Sequence, residues 1–385
     1  MEIKQVYELV NNATAEILGE QSVLQEDMQN VVDIGTELFN ANSVDKYVRK
    51  LVDHIGKVIF VNRPYAGGVP SVLMDGWEYG AVLQKVQAEL PEATENESWQ
   101  LENGVSYDPN IFYKPEVSDK FYNKRTTFEI PMSFTELQIK GSFSNAEQMN
   151  AFLSMLYTSV ENAMTVRTDS LIMRTINNMI GETMYNMNSG GTYTGAGNTR
   201  AYNLLKMYND TYGKSLTEAA CRFDADFIRY AAYMMSLVES RMTKISSLFN
   251  IGGKDRFTPS DRMHVVLLSE FAKAADVFLQ SGTWHDEFTK LPKAETVPYW
   301  QGSGTDYAFT SNSAINITTA SGHNVSLDGI LGVMFDRDSL GVCNLDRRVT
   351  TNYNPKAEFY NNWYKFDCGY FNDTNENFVV FYVAA

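Results

Sequence analysis

Residues 144–187 constrain the fold more than any other part of the chain, because they carry a helical pattern without a break. Ser144 stands at an N-cap position, and Glu147 three residues on completes a capping box. Apolar residues recur at Met149, Phe152, Leu153, Leu156, Val160, Ala163, Met164, Leu171, Ile172, Ile176, Met179 and Ile180. Those steps of three and four lay one stripe along a helix. No proline interrupts it, and its only glycine, Gly181, comes near the end. Such a helix runs roughly 60 Å at about 1.5 Å per residue, several times the usual length. A compact domain has no room to bury that rod end to end. The pattern predicts a spine across which smaller elements are laid.

The chain has 385 residues, long enough for two or three domains and a substantial core. Hydrophobic residues make up 44% and charged residues 21%, a globular balance. The 22 Tyr, 22 Phe and five Trp point either to extensive contact surfaces or to many strands. A formal net charge of -15 argues against binding nucleic acid by phosphate neutralisation. It also keeps a concentrated protein soluble and slows premature association. Cys221, Cys343 and Cys368 are scattered and make no disulfide framework. The opening Met-Glu-Ile-Lys-Gln lacks the layout of a signal peptide, and no apolar run reaches membrane-spanning length. These features point to synthesis and residence in the cytosol, with no membrane partner.

Residues 1–55 carry short helical patterns separated at Gly19 and Gly35, which read as an arm packing on something else or as a small helical subdomain. Residues 57–61 read as a strand, and 79–90 are ambiguous between helix and strand. Residues 89–102 then carry five Glu and no Lys or Arg, followed by the basic Lys114, Lys120, Lys124 and Arg125. Residues 126–134 alternate as a strand, and 136–140 continue it. Together they suggest a long two-stranded excursion, acidic on one side of its tip and basic on the other. A projecting hairpin cannot bury itself, so a neighbouring subunit would normally cover it. The charges alone equally describe a solvated loop.

Beyond the spine, the Gly-rich run 188–198 reads as a mobile loop. Helical patterns follow over 202–211, 215–220 and 227–247. Residues 265–268 read as a buried strand and 270–278 as a helix, with short strand candidates such as 314–318. Residues 330–335 form another strand, closed by Asp336-Arg-Asp. The last fifty residues alternate aromatic and polar side chains and finish in an apolar strand, Phe378-Val-Val-Phe-Tyr-Val, of the kind normally tied into a sheet.

Catalytic chemistry does not assemble from these residues. His54, His264, His285 and His323 stand far apart. His285-Asp286-Glu287 is the one cluster of ligand types, but adjacent residues rarely share a coordination face, and a solvated turn is the simpler reading. His264, ahead of an apolar strand, reads as a hydrogen-bonded edge residue. Gly190, Gly191, Gly195 and Gly197 lack the Gly-Lys-Ser/Thr ending of a phosphate loop. Asp336 and Asp338 flank Arg337 and read as a turn beyond a buried strand in preference to an acid/base pair. No nucleophile elbow is present. The spine methionines Met149, Met155, Met164, Met173, Met179 and Met184 could make an adaptable binding face, with core packing the more economical reading. No enzyme activity, cofactor or metal is expected.

Three stretches carry a family resemblance: Thr258-Pro-Ser-Asp-Arg-Met-His-Val-Val-Leu, Asp328-Gly-Ile-Leu-Gly-Val-Met-Phe-Asp-Arg-Asp-Ser-Leu-Gly and Phe371-Asn-Asp-Thr-Asn-Glu-Asn-Phe-Val-Val-Phe. With the order of elements, they resemble the major capsid proteins of tailed bacteriophages with the HK-97 fold. The resemblance implies an α+β chain with an N-terminal arm (1–55), a strand and extended two-stranded loop (56–143, the loop about 78–128), and a spine helix of a peripheral domain (144–189). An α/β apical domain (190–345) and returning strands of the peripheral domain (346–385) complete it.

The function implied is a virion shell, assembled in the host cytoplasm through pentamers and hexamers into an icosahedron around a double-stranded DNA phage genome. The short N-terminal segment favours a separate scaffolding protein, beside a portal and decoration proteins. Lys114, Lys120 and Lys124 lie where some members cross-link, but no Asn or catalytic Glu partner can be placed, and no cross-link is expected. Glu92, Glu95 and Glu97 against Lys114, Lys120, Lys124 and Arg125 are the candidate inter-subunit contacts, setting the loop's register across a boundary. An acidic lining would avoid trapping DNA, which would be packaged without sequence-specific contact. The alternatives are an encapsulin-type nanocompartment enclosing a cargo enzyme and, from another class, an aromatic-rich glycan- or receptor-binding protein.

Overall fold

A computed structural model describes residues 67–74, 82–95, 103–104, 110–135, 146–280, 292–301 and 308–385. The expected arm at 1–55, the strands at 57–61 and 136–140, the cluster at 285–287 and Glu97 lie outside the described residues. A 3-10 turn, Pro70–Val72, leads into β1 (Leu73–Met74), β2 (Leu83–Ala88), β3 (Val117–Tyr122) and β4 (Arg125–Thr135). The long helix α1 covers Ala146–Met187, 42 residues. Then come β5 (Gly197–Asn198), β6 (Ala201–Asn203), α2 (Leu204–Tyr212), α3 (Glu218–Cys221), α4 (Ala225–Met242), β7 (Met263–Leu268), α5 (Ser269–Gln280) and β8 (Glu295–Val297). The chain closes with α6 (Phe309–Asn312), β9 (Ile315–Thr318), β10 (Asn324–Leu327), β11 (Ile330–Asp336), β12 (Leu340–Asn354), β13 (Phe359–Asn372) and β14 (Phe378–Tyr382). None of the described helices is long and apolar enough to cross a membrane.

The chain divides into two units. The smaller contains Pro131–Asn162 and Thr350–Trp363, and the larger takes Tyr65–Ile130, Ala163–Val349 and Tyr364–Ala385. In the smaller unit Tyr353 and Tyr360 face each other at 4.6 Å, and Thr351 Oγ1 donates to Asn362 Oδ1 at 2.9 Å.

The core of the larger unit is a six-stranded mixed sheet in the order β5-β6-β14-β11-β7-β8. Every residue of β11 and β14 is buried, which is why both segments read as unbroken apolar runs in place of an alternation. Val333 sits at the centre, opposite Val380 on one side and Val266 on the other. Asn203 ties the chain end to this sheet. Its Oδ1 accepts from Lys206 N at 3.2 Å, capping α2, and from Ala384 N at 3.1 Å. Its Nδ2 donates to Ala384 O at 2.8 Å and Gly195 O at 3.0 Å, so a fully buried amide is fully satisfied. Asp224 caps α4 by accepting from Phe227 N at 2.7 Å.

Several expectations change here. The terminal strand does not stay with the other returning strands of 346–385: β12 and β13 belong to a four-stranded sheet ordered β1-β12-β13-β4, whereas β14 lies inside the six-stranded one. Part of the Gly-rich run is ordered as β5, paired with β6. The helix expected over 227–247 ends at Met242. His264 faces Phe335 where β8 no longer flanks β7, yet its Nε2 is buried with no hydrogen-bond partner, so it is not the bonded edge residue expected.

The α1 stripe is largely core: Met164, Leu171, Ile172, Ile176, Met179, Ile180 and Met184 are all buried. Another face of the helix holds the β9–β10 hairpin. Asn178, Gly181, Glu182 and Tyr185 fall three and four residues apart, on one side. Asn178 Oδ1 accepts from Ala320 N at 2.6 Å, and Glu182 Oε1 accepts from Ser321 N at 3.1 Å. The His323 ring stacks on Tyr185 with centroids 3.7 Å apart and planes 9° apart. Between them Gly181 leaves room for Thr319, whose Cγ2 lies 2.7 Å from where a Cβ would stand. The single glycine of a long helix is explained by that close approach.

Candidate assembly surface

The two-stranded excursion exists, but with other strands than the sequence suggests. β2 pairs with β3, antiparallel and with no third strand among the described residues, while β4 joins the sheet of β13. Side chains alternate across the ribbon. Its inner face carries Leu83, Lys85 and Gln87 against Tyr122, Lys120 and Ser118, all half-buried. Its outer face carries Gln84, Val86 and Ala88 against Phe121, Asp119 and Val117, all exposed.

Both lysines therefore point inward, while Val86, Ala88, Val117 and Phe121 point outward beside Gln84 and Asp119. Phe121 is 62% exposed, and Phe112 and Tyr113, just ahead of β3, are 85% and 80% exposed. Val86, Leu90, Ile111 and Val117 are exposed as well. An apolar surface of this kind is rare on a lone soluble chain and marks an interaction site.

The inner face rests on a platform of three turns. Asp373 N donates to Ser339 O at 2.6 Å, Gly252 N to Thr374 O at 2.9 Å, and Asp336 N to Asn377 O at 3.0 Å. Lys85 Nζ donates to Asp373 Oδ2 at 2.8 Å, Glu376 Oε1 at 2.9 Å and Asp338 O at 3.1 Å. Lys120 Nζ donates to the other oxygen, Asp373 Oδ1, at 2.7 Å. Gln87 Nε2 donates to Glu376, and Arg256 Nη2 to Gln87 Oε1 at 2.9 Å. Glu89 pairs with Lys254 at 3.0 Å. Tyr122 packs its ring 5.1 Å from Phe371.

Burial alone would push the Asp373 carboxyl up, but Lys120 and Lys85 outweigh it and hold the group below its ordinary value. Glu89 is likewise lowered, chiefly by its bond to Lys254. The Tyr122 phenol is raised, first by burial and then by the Asp373 carboxylate beside it. Asp336, at the end of β11, is raised by burial, and its Oδ1 accepts from Asp338 N at 2.9 Å in a turn.

Of the residues singled out in the sequence, Lys120 is engaged within its own chain. Glu92, Glu95, Lys114 and Lys124 stand exposed and form no ion pair with another described residue. Arg125 is exposed too, its charge helping to lower Asp367. Among the described residues, the structure does not pair Glu92 or Glu95 with Lys114, Lys120, Lys124 or Arg125. Sequence reasoning missed Lys85, Asp373, Glu376 and Arg256. The one available signal was the turn Asn372-Asp-Thr-Asn-Glu-Asn, which sets two carboxylates between the apolar residues Phe371 and Phe378. Among the described residues, no group of His, Cys, Asp and Glu could hold a metal ion.

A mixed sheet, a helix of 42 residues and a ribbon with exposed apolar side chains describe a subunit with a surface suited to association. The structure matches a chain in the capsid structure of Staphylococcus phage Andhra with a TM-score of 0.51 at 9% identity, covering 86% of this chain and 87% of that one. It also matches a chain in the structure of the head fiber and inner core protein gp22 of native bacteriophage P68, with a TM-score of 0.53 at 8% identity, covering 85% and 87%. At these identities the likeness is one of fold.

The sequence itself matches the Phi29-like phage major capsid protein family over residues 9–382, and the chain belongs to that family. No curated protein matches it in sequence. It is a structural protein of the virion, a building block of the capsid shell. The nanocompartment and glycan-binding alternatives gain no support.

Proposed function

We propose that copies of this chain associate as pentamers and hexamers into a closed icosahedral shell around a double-stranded DNA phage genome, with the β2–β3 ribbon lapping onto a neighbouring copy. The ribbon's outer face carries this reading: Val86, Val117 and Phe121 stand exposed on it, and Phe112 and Tyr113 stand exposed just ahead of β3. Burying such side chains contributes about 1.5–3 kcal/mol each, enough for many weak laps to close a shell. The exposed charges of Glu92, Glu95, Lys114 and Lys124 then set register at the boundary, together with Glu97 and Arg125. Lys120 drops out of that set because Asp373 already holds it.

Assembly takes place in the host cytoplasm, with a separate scaffolding protein, a portal and decoration proteins as partners. The genome is held without sequence-specific contact, in keeping with a net charge of -15. The test replaces Phe112, Tyr113 and Phe121 together by serine. Folded subunits that no longer close into particles are expected, and particles at wild-type yield would refute the lap.

A further inference from the structure

We infer that Asp373 is the positioning residue of the ribbon: this one carboxylate, on the turn before the terminal strand, sets the strand pairing and orientation in which the ribbon is presented. Lys85 and Lys120 are direct cross-strand partners on the same face. Like charges placed opposite each other destabilise a strand pair. A two-stranded ribbon, marginal in water on its own, has little stability to set against that repulsion.

Asp373 reverses the sign. Its side chain is fully buried, and its two oxygens take one lysine each, at 2.8 Å and 2.7 Å. The bridge converts a repelling pair into two charge-assisted hydrogen bonds, the stronger kind. It is also specific for register. A slip of one residue in either strand would carry that strand's lysine to the outer face, so the carboxylate could no longer hold both. The platform holds the carboxylate in place, since Asn375 N donates to Asp373 Oδ1 at 3.0 Å and the Asp373 amide is bonded to Ser339 O. The ribbon is thus a conditional element: it takes its pairing only when docked, and the docking point belongs to the strand end that enters the core sheet.

This rests on the ribbon being the lapping element, but the test does not. Amide hydrogen exchange is measured on unassembled full-length subunits of wild type, Asp373→Asn and the double variant Asp373→Asn/Lys120→Met. Loss of the bridging charge is expected to raise exchange in β2 and β3 by roughly ten- to a hundredfold, the weight of one or two charged hydrogen bonds, with β7 and β11 unchanged. The double variant, which removes the lysine pair itself, is expected to recover most of the protection. Neutralising Asp373 with the ribbon still protected would overturn the inference. So would equal loss in the single and double variants, or loosening of β7 and β11 that the double variant does not repair. Shells forming normally from subunits with an unpaired ribbon would instead sink the lap and leave the positioning role of Asp373 standing.

Discussion

Replacing Gly181 by alanine should destabilise the protein, although alanine is the better helix former by about 1 kcal/mol. The added Cβ would stand 2.7 Å from Thr319 Cγ2 and 3.0 Å from Ile317 Cδ1, both inside normal contact. Overpacking of this kind costs about 1–3 kcal/mol. Thr319 cannot swing away freely, because it is only 5% exposed and its Oγ1 accepts from His323 N at 3.2 Å. Giving up that bond costs about 0.5–1.5 kcal/mol. The crowding term wins, and the net loss is about 1 kcal/mol.

The double variant G181A/T319S removes the offending methyl and keeps the hydroxyl. It should regain most of the loss, with a coupling of about 1–2 kcal/mol between the two sites. Denaturant midpoints of unassembled subunits at constant slope measure all four corners of the cycle. Stabilisation of G181A by the whole helix-propensity gain, with effects that add within about 0.5 kcal/mol, would refute the close-approach account of this glycine.

His264 is held below its ordinary value by burial, so the folded state disfavours its charged form; stability is complete above about pH 6.5 and falls as the pH drops toward the lowered value. His264→Leu should therefore gain stability over wild type more at pH 5.5 than at pH 7.5, read by thermal unfolding at both. Asp373 and Glu89 have lowered carboxyls, so ribbon docking should be intact above about pH 4.5 and be lost as the pH falls through the folded values. Exchange of β2 and β3 against pH should show this, and Asp373→Asn should flatten the profile. The three thiols are buried, with Cys221 pushed up to about 12 and Cys368 to about 11 by burial. Native subunits should leave all three unlabelled by maleimide at pH 8, and denatured ones should take three equivalents.

The long helix was legible because its signal is local: steps of three and four with no proline from Ala146 to Met187. The apolar runs of β7, β11 and β14 were legible because burial on both faces removes alternation. Their neighbours were not, since nothing local tells Phe378–Tyr382 to pair with Ala201–Asn203 and β11 and not with β13. The ribbon was partly hidden because its lysines point inward. Val117-Ser-Asp-Lys-Phe-Tyr alternates, but with its lysine inward and its valine and phenylalanine outward, the reverse of a strand that serves only its own core. Of the basic residues singled out around the loop, Lys120 is matched, together with Lys85, by Asp373 and Glu376 some 250 to 290 residues away. Pairing at that separation is a property of the fold, invisible to a scan for neighbouring charges.

Imaging of the purified full-length protein by electron microscopy, beside the triple serine variant at Phe112, Tyr113 and Phe121, bears most directly on the capsid reading. Closed shells from the native chain, with ribbon density lying on the adjacent copy and folded but unassembled variant subunits, are the predicted result. A native chain that stays monomeric while its ribbon's outer face folds back onto its own body would contradict it.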